Sequence, residues 1–87
     1  MRSVIDRTSG RAAYRQLSDL LRADIRRGEY GPGAALPSEV ALIARYGVGR
    51  NTVRLAMEVL RDDGLVVTRH GCGTFVRDSN RPSDPAP

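Results

Sequence analysis

Apolar residues recur every three or four positions along a stretch that starts at about Ala12, and this spacing predicts an amphipathic helix. Arginine and aspartate side chains fill the other faces of this helix. Gly28 is placed to end it, because glycine readily adopts the left-handed conformation that follows a last helical turn. The apolar stripe consists of Tyr14, Leu17, Leu21 and Ile25, with Leu20 beside it.

A second apolar stripe predicts another helix, from about Arg50 to Asp63, which Gly64 ends. Its apolar residues stand at positions i, i+3, i+4 and i+7, which is the spacing of a regular buried face. The residues of this face are Val53, Ala56, Met57 and Leu60.

A shorter helix is predicted between these two. Ser38 follows Pro37 and can cap the first free amide groups, and Glu39 favours the positive end of the helix dipole. Gly47 ends this helix, and we expect Val48 to be buried in the tight turn that leads to the next one. The residues expected to face the core are Leu42, Ile43 and Tyr46.

The carboxyl-terminal part of the chain has the pattern of a β-hairpin. Residues 65–69 are rich in β-branched side chains, residues 70–73 form a glycine-rich turn, and residues 74–76 return as the second strand. Ala35-Leu36 is predicted to be a very short strand. The predicted fold class is therefore mainly α with a small β-hairpin, a three-helix winged helix-turn-helix over residues 12–77.

Both ends of the chain lack a periodic pattern. Residues 1–11 carry three arginines and one aspartate, and we expect a flexible basic arm there. Residues 78–87 are predicted to be a disordered tail or the start of a linker. The net charge is +4, and all 14 cationic residues are arginine. A bias in genome composition is the simpler explanation for the dominance of arginine, although arginine also suits bidentate contacts with phosphate or guanine.

Several classes of protein are disfavoured by the composition. Cys72 is the only cysteine, so an intramolecular disulfide is impossible, and no apolar run is long enough to span a membrane. We therefore expect a cytoplasmic protein. His70 and Cys72 do not complete a metal site, and no set of nucleophile, base and pocket is evident. We expect no cofactor and no enzymatic activity.

The start of the third predicted helix carries the strongest candidate chemistry. Arg50 and Arg54 lie one turn apart, beside the buried face, and Asn51 lies further from the core. In a helix-turn-helix the first turn of this helix meets the base edges, where arginine pairs with guanine and asparagine with adenine. Thr52 is better placed for a phosphate. A solvated face on a structural helix is the simpler alternative for these residues.

The predicted hairpin tip is a second candidate contact. Glycines at positions 71 and 73 let the backbone approach a narrow surface, and Arg69 and His70 project polar groups from it. A narrow minor groove attracts such side chains. The alternative is an ordinary hairpin with a polar tip.

In their order and register, these motifs resemble the DNA-binding domain of the GntR family of bacterial transcription regulators, over residues 12–76. The resemblance implies a winged helix whose third helix reads the major groove and whose wing reaches the adjacent minor groove. It also implies homodimers on inverted repeats. The matching motifs are Leu36-Pro37-Ser38-Glu39, Tyr46-Gly47-Val48, Arg50-Asn51-Thr52-Val53-Arg54, Gly64-Leu65 and Gly71-Cys72-Gly73-Thr74-Phe75-Val76.

Carried over by this resemblance, the contact residues fall into three groups. The implied major-groove contacts are Arg50, Asn51, Thr52 and Arg54, the implied wing contacts are His70 and Gly71, and Ser38 and Glu39 begin a helix that approaches the DNA backbone. The family often has arginine where Val40 stands and serine where Gly49 stands, so two family contacts are expected to be missing. The residues after Val76 are too few to form the family's effector domain, so we expect either a regulator that works without one or an excised domain, and no small-molecule site within this chain.

The sequence thus predicts a sequence-specific regulator that binds double-stranded DNA, a repressor acting as a dimer on an inverted repeat. The alternative is a winged helix used as a protein-interaction module. Leu55 and Val59 lie off the buried face of the third helix, where they contact the first helix, are simply tolerated, or form an apolar dimer patch.

Overall fold

A computed structural model describes residues 5–78. Three helices precede a two-stranded antiparallel sheet, which confirms the predicted winged helix-turn-helix fold. Residues 1–4 of the predicted arm and 79–87 of the predicted tail lie outside the described residues, and the flexibility of both ends stays a prediction. The elements are α1 (Ala13–Arg26), α2 (Glu39–Tyr46), α3 (Arg50–Asp62), β1 (Val66–Arg69) and β2 (Gly73–Val76).

The caps of α2 are the residues that the sequence predicts. The Ser38 hydroxyl accepts a hydrogen bond from the Ala41 amide at 3.1 Å and so caps α2. Gly47 closes α2 in the left-handed conformation, with φ 67° and ψ 38°. At the end of α3, the Leu65 amide donates to the Leu60 carbonyl at 3.0 Å. Leu65 therefore belongs to the helix cap rather than to β1, which begins one residue later than predicted.

The core lies where α1 and α2 pack against α3. The predicted face of α3 is buried in full, and Leu17 and Leu21 of α1 have no exposed surface. Tyr14 and Ile25 are only partly buried, at the edge of the same core. Among residues 5–78, twelve buried side chains make up the core: Leu17, Leu21, Leu36, Leu42, Tyr46, Val48, Val53, Ala56, Met57, Leu60, Val66 and Val76.

The hairpin is attached to the segment that precedes α2. Val66 pairs with Val76 and Arg69 with Gly73, and Ala35 forms an isolated bridge to Phe75. The very short strand predicted at Ala35-Leu36 is thus present only as a single bridge at Ala35. The Leu36 amide also donates to the Thr74 carbonyl at 2.9 Å. The wing is thereby held close to the amino terminus of α2.

Candidate nucleic-acid interface

A groove of about 590 Å³ lies between α3, the hairpin and the segment that leads into α2. Of the predicted contact residues, Ser38, Glu39 and Arg54 line this groove. The residues that line the groove are Ala35, Leu36, Pro37, Ser38, Glu39, Leu42, Val53, Arg54, Met57, Glu58, Arg61, Thr68, Cys72, Gly73 and Thr74.

The side chains predicted to read bases share an exposed face at the start of α3. Arg50 and Arg54 expose 65% and 62% of their side chains, and Asn51 is exposed beside them. Thr52 is half-buried. This face is open to a partner, whereas the opposite side of the helix is buried in the core.

Glu39 brings the two arginines together. Its Oε1 lies 3.6 Å from Nε of Arg50, and its Oε2 lies 3.3 Å from Nε of Arg54. Glu39 starts α2, where its carboxylate also suits the positive end of the helix dipole. The sequence predicts that Glu39 lies near the DNA backbone but does not predict this pairing, because no local pattern joins residues 11 and 15 positions apart.

The wing tip is exposed at Arg69, His70 and Gly71. The turn closes through a hydrogen bond from the Cys72 amide to the Arg69 carbonyl at 2.9 Å, and Gly71 has a positive φ of 79°. The Arg69 guanidinium lies over the Phe75 ring, 5.7 Å from its centroid. This stacking orders the Arg69 cation, whereas His70 projects from the tip.

A contact that the sequence did not predict joins the amino-terminal segment to the helix-turn-helix. The Arg7 guanidinium donates a hydrogen bond to the Gly47 carbonyl, which lies in the turn between α2 and α3. The segment is held to α1 by Gln16, whose amide donates to the Asp6 carbonyl at 2.8 Å and accepts from the Asp6 amide at 2.6 Å. Residues 5–11 are therefore folded back beside the start of α3.

Within residues 5–78, no cluster of three histidine, cysteine or acidic residues could hold a metal ion. The same part of the chain contains no helix that is both long and apolar enough to cross a membrane.

Three helices, a short turn before an arginine-bearing third helix and a hairpin wing define a regulatory domain of the winged helix-turn-helix class. The chain belongs to the GntR family of bacterial regulatory proteins, whose match covers residues 13–76. Membership of a family of regulators agrees with the expectation that the chain is not an enzyme.

One curated relative is the mannosyl-D-glycerate transport/metabolism system repressor MngR of Escherichia coli (strain K12), to which the chain is 45% identical over 65 residues. This match covers 75% of the chain and 27% of MngR. It is 40% identical over 82 residues to an HTH-type transcriptional regulator of Rhizobium meliloti (strain 1021), covering 94% and 34% respectively. The chain thus spans about a third or less of these relatives' length.

Among solved structures, the fold is similar to the DNA-binding domain of AraR, which was crystallised in complex with operator ORX1. The TM-score is 0.80 and the sequence identity is 30%, and the match covers 84% of this chain and 93% of that one.

Proposed function

We propose that this chain is a sequence-specific double-stranded DNA-binding domain of a transcription regulator. The observation that carries this proposal is the exposed face of Arg50, Asn51 and Arg54 at the start of α3. A helix presented in this way fits the major groove with its leading residues against the base edges. The similarity to an AraR domain bound to its operator supports the same use of this fold.

Within this proposal the contacts divide by element. Arg50, Asn51 and Arg54 would read bases, because arginine and asparagine make bidentate pairs with guanine and adenine. Thr52 in the first turn of α3 and Ser38 at the amino-terminal cap of α2 would contact the DNA backbone. The wing residues Arg69, His70 and Gly71 would meet the adjacent minor groove.

We further propose that the whole regulator is a repressor, acts in the bacterial cytoplasm and binds an inverted repeat as a homodimer. The repressor MngR, 45% identical over the shared region, supports the direction of regulation. Leu55 and Val59 are half-buried on α3 and are candidates for an apolar dimer contact. If they form it, the Leu55→Glu, Val59→Glu double variant will sediment as a monomer under conditions in which the parent is a dimer.

Selection of binding sites from a pool of random duplexes tests the proposal directly. We expect one enriched motif, and a symmetric motif with fixed half-site spacing would support the dimer. The logarithm of affinity for that duplex is expected to fall linearly with the logarithm of salt concentration, because phosphate contacts release counterions. A protein-interaction module would enrich no motif and would not bind duplexes at moderate salt.

A further inference from the structure

We propose that Glu39 is a positioning residue for base recognition: it holds the Nε groups of Arg50 and Arg54 so that their terminal N–H groups face the DNA. This inference rests on the proposed DNA-binding function and deepens it. It replaces the expectation that Glu39 itself contacts the DNA backbone, since a carboxylate only accepts hydrogen bonds and is repelled by phosphate.

The two contacts are divided evenly between the carboxylate oxygens. Oε1 of Glu39 lies 3.6 Å from Nε of Arg50, and Oε2 lies 3.3 Å from Nε of Arg54, where it accepts a hydrogen bond. Among the described residues, no hydrogen bond engages Nη1 or Nη2 of either arginine. The terminal ends of both guanidinium groups therefore remain available for the bidentate contact with guanine O6 and N7.

Glu39 stands on a part of the backbone that hydrogen bonds hold in place, so it can position the two arginines. It is the first residue of α2, and the hydrogen bond from the Ala41 amide to the Ser38 hydroxyl fixes the backbone at this end. Its carboxylate is stabilised there by the helix dipole. Arginine side chains lose substantial rotamer entropy when they are ordered, so ordering two of them before DNA arrives lowers the cost of forming the specific complex.

The same carboxylate also lowers affinity for unrelated DNA. Any duplex offers phosphates, and binding to them depends on the number of cations that are free to neutralise phosphate charge. One negative charge held between two arginines reduces their attraction to phosphate while leaving their hydrogen-bond geometry intact. Glu39 is thus expected to raise the ratio of specific to non-specific affinity by acting on both terms.

The test compares Glu39→Gln with Glu58→Gln. Glu58 also lines the groove and makes no ion pair with Arg50 or Arg54 among the described contacts, so its substitution removes the same charge without the positioning contact. The probes are the duplex selected by the parent protein and a scrambled duplex. The ratio of the two affinities, measured on one preparation, does not depend on the fraction of folded protein.

Both variants are expected to bind the scrambled duplex more tightly, because each loses a negative charge. Only Glu39→Gln is expected to lower the specificity ratio, by roughly tenfold, and to loosen base preference at the positions that the arginines read. An equal specificity ratio in the two variants, or an unchanged preference profile in Glu39→Gln, would overturn the inference.

A double-mutant cycle separates positioning from other roles of Glu39. In an Arg50→Ala, Arg54→Ala background, Glu39→Gln has no arginine left to release, so its effect on the specificity ratio is expected to vanish. If the effect persists there, Glu39 acts through another group and the inference fails. A parent protein that enriches no motif would instead refute the proposed function itself, which distinguishes the two failures.

Discussion

Arg61 donates a hydrogen bond from Nη1 to Oγ1 of Thr68 at 3.0 Å, and this bond joins the last turn of α3 to the first strand of the wing. Both residues line the groove between the helix and the hairpin. The bond is therefore a direct contact between α3 and the hairpin. Two elements that contact neighbouring grooves of one duplex must keep a fixed offset, so this bond couples the two sets of proposed contacts.

We expect Thr68→Val to weaken binding to the selected duplex more than it weakens the fold. Valine keeps the shape and strand preference of threonine but cannot accept the Arg61 hydrogen bond. The bond is exposed, so the free energy of unfolding is expected to change by less than about 1 kcal/mol. Thr74→Val, on the facing position of β2, is the matched control. Equal losses of affinity in the two variants, measured by fluorescence anisotropy, would contradict this role.

The fold could be predicted because its determinants are local. The apolar spacing of residues 53–60 fixes the buried face of α3, and Gly47 and Gly64 both adopt the positive φ expected of glycines that end helices. Predicted helix ends are off by one residue. Asp63, for example, lies just after α3, as a cap with φ −78° and ψ −4°.

The contacts within the candidate site could not be predicted in the same way. The pairing of Glu39 with Arg54 and the bond from Arg7 to Gly47 depend on how separate segments pack, and no short-range periodicity encodes either. The stacking of Arg69 on Phe75 crosses the hairpin and depends on its register. The sequence therefore identified candidate contact residues, whereas their mutual arrangement required the folded chain.

Arg50→Ala and Arg54→Ala are each expected to weaken binding to the selected duplex by about 1–3 kcal/mol, if each arginine reads a base. Arg26→Ala is a matched control, because it removes the same charge from the last turn of α1, outside the groove. Titration of the selected and scrambled duplexes measures the effect. Small, equal losses in all three variants would mean that the arginines contribute only general charge.

His70→Ala is expected to change sequence preference in the base pairs that flank the major-groove contact, with little effect on the motif read by α3. His70 is exposed at the tip of the wing, where the neighbouring Gly71 keeps the backbone free of a side chain. Site selection with the variant measures the flanking preference. A flanking profile identical to that of the parent would place the wing tip outside the groove.

Tyr46→Phe is expected to leave the fold as stable as before or to stabilise it by up to about 1 kcal/mol. The Tyr46 ring is buried, and within the described part of the chain its hydroxyl has no hydrogen-bond partner. Removing the hydroxyl removes the cost of burying an unpaired polar group. Tyr14→Phe, at the edge of the core, is the control. Destabilisation of Tyr46→Phe in a urea titration would indicate that the hydroxyl has a partner.

Alkaline pH provides a second readout for Tyr46. Burial raises the pKa of Tyr46 above its ordinary value of 10.0, and the charge of Asp24 raises it further, against the opposing effect of Arg45. As pH rises, the Tyr46 hydroxyl therefore loses its proton at a lower pH in the unfolded chain than in the folded one. This group leaves the free energy of unfolding unchanged below about pH 10 and lowers it as pH rises above that value. The stability of Tyr46→Phe is expected to fall less steeply above pH 10 than that of the parent.

Gly47 and Gly49 are expected to respond in opposite directions to substitution. Gly47 has φ 67°, so Gly47→Ala forces a side chain into the left-handed region and is expected to cost about 1 kcal/mol of unfolding free energy. Gly49 is the amino-terminal cap of α3, with φ −85° and ψ 168°, and offers the helix no side-chain oxygen to accept a hydrogen bond. A Cβ at this position would meet no atom within 4 Å.

Gly49→Ser is therefore expected to stabilise the domain by about 0.5–1 kcal/mol, because it adds a capping hydroxyl and restricts the unfolded chain. Gly49→Ala separates the two causes, since alanine restricts the unfolded chain without capping the helix. Urea denaturation of the three variants measures these differences. A loss of stability in Gly49→Ser comparable with that in Gly47→Ala would show that the turn before α3 does not tolerate a side chain at either glycine.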